Sequence, residues 1–145
     1  MFRFRLERVL AYRRLQMETL EQALFQSVKT LQQEETALEG LHTSCRQQQE
    51  ALAASEGQRL SGETLQMWHR HYGALAARLQ TQQAVVVEAT QALAVKQQEV
   101  IAARQKKKML EKLADTARQR HTMQMARYER QRLDEIALTR LPHGH

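Results

Sequence analysis

Proline occurs once in 145 residues, at Pro142, and glycine only five times. Aromatic residues make up 5% of the chain. Sheet-based domains need turn residues every few positions and bulky side chains between their layers. The scarcity of both excludes a sandwich, a barrel or a doubly wound α/β fold. Long apolar runs are missing too: none exceeds four residues, as at Ala84–Val87, whereas a bilayer span takes about 20. The opening stretch MFRFRLERVLAYRR has no apolar core of its own, so no secretory signal is expected. The lone Cys45 has no internal partner for a disulfide, which fits a reducing cytosol.

What remains is dominated by Ala, Leu, Gln, Glu, Lys and Arg, the strong helix formers. Every seventh residue from Leu10 is apolar: Leu10, Met17, Leu24, Leu31, Leu38, Cys45, Leu52. The companion line, Leu6, Arg13, Leu20, Ser27, Glu34, Leu41, Gln48, is mixed. A second line of the same spacing runs Leu65, Tyr72, Leu79, Val86, Leu93, Val100, with Trp68, Leu75, Gln82, Ala89, Lys96, Ala103 beside it. A sustained 3.5-residue repeat marks a helix burying a narrow stripe against another helix. Between the repeats lies SEGQRLSGET, where Gly57 suits a helix C-cap and Ser61 the N-cap of the next helix.

The pattern predicts an all-α fold, a long two-helix antiparallel coiled-coil hairpin whose second helix is longer and overhangs. A single domain over 1–145 is expected: helix about 4–54, turn about 55–62, helix about 63–138, and a short disordered tail from Pro142. At 1.5 Å per residue the helices would be about 75 and 115 Å long. The second apolar line fails at Lys107 and restarts on Met109, Leu110, Leu113 and Ala117, which reads as a stutter. Folding at residue 59 sets Leu6 beside Lys112 and leaves the segment from about Asp115 to Arg140 without a partner.

Charge follows the same layout. Residues 1–14 carry five Arg against Glu7, and 104–145 carry eleven basic against five acidic side chains. Residues 15–60 are net acidic, with three basic and seven acidic side chains, and 61–103 are balanced. The hairpin brings both basic segments to one end. No phosphate loop, zinc spacing or nucleophile–base pair is visible, so no enzyme, cofactor or metal is expected. His69 and His71, two apart on a helix, point in different directions and cannot share a metal. The segment RQKKKMLEKLADTARQRH admits a nucleic-acid reading, but acids interrupt it and no parallel zipper follows. Leu65, Trp68, Tyr72, Leu75 and Leu79 form an i, i+3/i+4 ladder holding the only Trp. It is either hairpin core or an aromatic docking surface. Gly73 within it would let a partner's backbone come close.

The N-terminal pattern Phe4-x-Leu6-x-x-Val9-Leu10 with Arg13-Arg14 resembles the flagellar export protein FliJ family. So does the C-terminal set Lys112, Leu113, Tyr128, Glu129, Leu133, Asp134, Glu135, Ile136 and Ala137. The resemblance implies a non-enzymatic component of the flagellar type III export apparatus, required for flagellum assembly and motility. It would be a coiled-coil stalk linking an export ATPase ring to an export-gate membrane protein, binding export chaperones. Its implied place is cytoplasmic, peripherally associated with the inner face of the cell membrane. Under that reading Trp68, Tyr72 and Leu75 would meet the gate. Arg127, Arg130, Arg132, Leu133, Asp134, Glu135 and Ile136 would enter the ring. Some members carry tyrosines near the hairpin on the first helix, where this chain reads LEGLHTSCRQQQ. A stalk of a virulence-type secretion system and a basic nucleic-acid-binding coiled coil are the alternatives.

Overall fold

The computed structural model describes residues 2–55 and 61–140. Nearly all of them lie in two helices that pack against each other, α1 (Glu7–Ala54) and α2 (Gly62–Arg140), with no strand among the described residues. Glu7 begins α1, three residues later than the periodicity suggests, and its carboxylate suits the positive helix start. Ser61 caps α2 as expected: its Oγ accepts from the Thr64 N–H at 3.2 Å and its carbonyl from the Leu65 N–H at 3.1 Å. Gly57 and Pro142, the other expected punctuation, lie outside the described residues.

The chain clusters into two compact units. Unit 2 is Leu20–Val100. Its seam follows the two heptad lines of each helix. Leu24, Leu31 and Leu38 of α1 are half-buried, as are Leu79, Val86 and Leu93 of α2, while Leu75 and Val100 are buried. The companion lines are half-buried too, although they include Ser27, Glu34, Gln48, Gln82 and Lys96. One polar pair closes on itself: Gln82 Nε2 donates to Glu34 Oε2 at 2.6 Å and to the Glu34 carbonyl at 3.0 Å. Such a pair costs burial energy but penalises any slipped register, which would leave both groups unpaired.

Unit 1 joins Met1–Thr19 to Ile101–His145. Leu10, Met17, Ala103 and Ala114 are buried, and Leu6, Arg13, Lys107, Leu110, Ala117 and His121 half-buried. On α2 these fall at alternating steps of four and three from Ala103 to His121, so the expected stutter at Lys107 is absent. Lys107 occupies the seam itself, its stem covered and its Nζ 4.0 Å from Glu111 Oε1. The apparent restart was misleading because Met109 and Leu113 are exposed, while small alanines hold the true line.

The overhang also starts later than residue 115. The Phe2 and His121 rings lie 5.3 Å apart, and Arg14 Nε is 3.9 Å from Glu111 Oε1. Paired residue numbers therefore add to 123 and 125 here rather than 118, so Leu6 is not level with Lys112. The shift is already present at Arg14, inside α1, so it belongs to the register of the two helices, and Phe2 extends the cover on α2 as far as His121. Beyond His121 every residue through Arg140 is exposed.

Two substitutions test this seam by thermal unfolding. Lys107→Leu should raise stability by about 1 kcal/mol, since an apolar side chain replaces a cation in the packed line. Leu31→Asp should lower it by about 3 kcal/mol, because a two-helix core has no second layer to solvate the charge. A lower midpoint for Lys107→Leu would restore the stutter.

Candidate functional site

Near the start of α2 the ladder of large side chains divides between seam and surface. Trp68 is half-buried and faces Gln48 of α1; both residues line two open grooves, one on each side of the seam. The larger, about 680 Å³, is bounded by Ser44, Ala51, Met67, His71 and Arg78, and the smaller, about 230 Å³, by Leu52, Leu65, His69 and Tyr72. His69 and His71 thus belong to different grooves, as their spacing requires. Gly73 has open space around its Cα, so a partner backbone could approach there.

Tyr72 is 41% exposed, and its Oη accepts a hydrogen bond from Gln49 Nε2 at 3.0 Å. Leu75 is only 7% exposed, which assigns it to the seam and leaves Trp68 and Tyr72 as the accessible part of the expected trio. Gln48 Oε1 is buried with no hydrogen-bond partner among the described residues. A buried carbonyl oxygen without a donor costs about 1–3 kcal/mol, so the floor between the grooves is polar and unsatisfied.

At the other candidate region α2 runs on alone. Arg127, Arg130, Arg132, Leu133, Asp134, Glu135 and Ile136 all lie in the exposed stretch of unit 1, with Met123, Met125, Tyr128 and Leu138. Residues 132–136 are consecutive, and five residues exceed one turn of 3.6, so these side chains surround the helix. A flat partner would meet only some of them; an enclosing one would meet all. The charge of unit 1 is +9, from sixteen basic and seven acidic side chains, and that of unit 2 is −3, from six and nine.

Among the described residues no three His, Cys, Asp or Glu side chains are placed to hold a metal, and no helix is long and apolar enough to cross a membrane. Cys45 is half-buried in the seam. Among the exposed side chains, Val9 and Tyr12 lie off both seam lines, and Met109 and Leu113, expected on a restarted apolar line, join them at the surface. Their signal was apolar residues at heptad positions outside the two seam lines.

No curated protein and no solved structure matches the chain. The sequence profile described as flagellar FliJ protein matches residues 1–143, spanning both terminal signatures and the heptad lines between them. With two packed helices and an uncovered helical end set on that match, the chain belongs to the flagellar FliJ family, a structural component of the flagellar export apparatus.

Proposed function

We propose that the chain acts as a stalk whose free α2 end enters the ring of the export ATPase and whose hairpin end meets the export-gate membrane protein. The observation that carries this reading is the run from Thr122 to Arg140, exposed at every residue yet holding Leu133, Ile136 and Leu138. An isolated helix with uncovered apolar surface is marginal in water, so a partner that surrounds it would stabilise it. A ring lumen is such a partner. Arg127, Arg130 and Arg132 would steer the helix toward an acidic or polar wall, and Asp134 and Glu135 would set its depth there.

At the gate end, Trp68 and Tyr72 supply rigid aromatic area beside open grooves, the usual make-up of a binding anchor. Leu75 would support them from beneath. Export chaperones are the remaining partners of this reading, which also places the protein in the cytoplasm against the inner membrane face and makes it necessary for flagellum assembly and motility. Chemotaxis would depend on it only through motility. Catalysis, nucleic acid and small-molecule ligands have no part in it.

Removing residues 122–145 should leave the hairpin folded, with thermal midpoint nearly unchanged, and abolish stimulation of the ATPase. Reversing Arg127, Arg130 and Arg132 to Glu should slow association with the ATPase by about tenfold at low salt and less at high salt. Undiminished stimulation by the truncated chain would place the ATPase contact elsewhere.

The double change Trp68→Ala/Tyr72→Ala should weaken gate binding by at least about tenfold, or 1.4 kcal/mol, while sparing ATPase stimulation. Gln49→Ala removes the hydrogen bond to Tyr72 and leaves both rings. If it weakens the gate equally, the aromatics serve hairpin stability and not docking.

A further inference from the structure

The paired part of unit 1 has two unlike sides. In heptad letters Leu10, Met17, Lys107 and Ala114 are a positions, and Arg13, Ala103 and Leu110 are d positions. In an antiparallel pair the e and b residues of both helices share one side of the seam and the g and c residues share the other. The 3.9 Å pair of Arg14 and Glu111 joins two e positions and fixes that arrangement here. All four carboxylates of the paired stretch, Glu7, Glu18, Glu111 and Asp115, fall on the e/b side. The g/c side has none.

The g/c side instead presents Val9, Tyr12, Met109 and Leu113, exposed by 40, 60, 66 and 52%. By the observed pairing Tyr12 lies level with Leu113, with Val9 a step to one side and Met109 to the other. The four fall within about 10 Å of helix axis. Lys106 and Arg120, both at g, flank this cluster about 21 Å apart. The Arg13 guanidinium sits over the Tyr12 ring, 5.9 Å from its centroid, adding a third cation.

We infer that this side of unit 1 docks an acidic amphipathic helix of a partner protein. Two adjacent helices with apolar residues just outside their seam form the shallow channel that a third helix fills, its apolar stripe on the cluster. The cations at both ends call for carboxylates about 14 residues apart along that helix. A compact apolar centre with charged ends fits a partner of finite length, whereas a bilayer would touch the side along its whole extent. This surface is separate from residues 122–140 and does not depend on the stalk reading.

The test uses the full-length chain and two fluorescein-labelled synthetic helical peptides of about 18 residues, with Leu at i, i+3, i+4 and i+7. One peptide carries flanking Glu, the other Lys at the same places. Fluorescence anisotropy should show the Glu peptide bound at least about tenfold more tightly. Tyr12→Ala/Leu113→Ala should weaken it by a similar factor with the far-ultraviolet dichroism unchanged. Lys106→Glu/Arg120→Glu should reverse the peptide preference, whether or not the first variant keeps its helicity. Arg104→Glu, an e position on the opposite side, should change little. Equal binding of both peptides overturns the inference, as does an equal effect of Arg104→Glu. So does an effect of Leu113→Ala confined to flotation with vesicles of equimolar phosphatidylcholine and phosphatidylglycerol, or to self-association of the chain in sedimentation.

Discussion

A seam between two helices buries one stripe from each, and everything else in this protein depends on that constraint. Leu10, Met17, Leu75, Val100, Ala103 and Ala114 are the hydrophobic residues that become buried among the described residues, where no polar or charged residue does. With no further layer to cover them, the other faces of both helices stay in contact with water. Large apolar residues on those faces are therefore available for partners, unlike the equivalent residues of a globular domain, which would be turned inward.

The same thinness explains why polar residues are tolerated within the seam. Lys96 and Lys107 need only lay their stems along the stripe, because the solvent is one side-chain length away. Lys96 reaches Glu99 at 3.3 Å and Lys107 reaches Glu111 at 4.0 Å. These exposed pairs add little stability. Both lie within α2 and would survive a slip, whereas the contact of Gln82 with Glu34 crosses the seam and would be lost, and a slip would also set leucines against the lysines. An apolar seam of equal length would be more stable and less certain of its alignment.

Charge is divided at two scales. Along the sequence the excess of cations gathers in unit 1, while unit 2 is mildly acidic. Around the seam of unit 1 the carboxylates keep to one side. The first division would steer the terminal end toward acidic partners at long range. The second distinguishes the sides of that end at short range, where apolar contacts decide affinity. Trp68 and Tyr72 in unit 2 add a different chemistry, aromatic and uncharged. The two units thus present different surface chemistries.

Helix type, the position of the chain reversal and the residues of the seam were legible in the amino-acid sequence. The heptad lines from Leu6 and Leu10, and from Leu65 and Trp68, name Leu10, Met17, Leu75, Val100 and Ala103, all of the described buried residues but Ala114. That follows from the 3.5-residue period, which is a local property of one helix and needs no knowledge of its partner. The fate of Lys107, Met109 and Leu113 was decided by tertiary structure. Hydrophobicity alone puts the methionine and leucine inside and the lysine outside, but the continuing line on Ala103, Leu110, Ala114 and Ala117 places them the other way round. The reach of Phe2 to His121, and with it the start of the free end, likewise depended on the register of α1 against α2, already shifted at Arg14 and Glu111. Which side of the coil carries the carboxylates could be assigned only once the antiparallel pairing of Arg14 with Glu111 was known, because facing positions are a relation between two helices and are absent from either one.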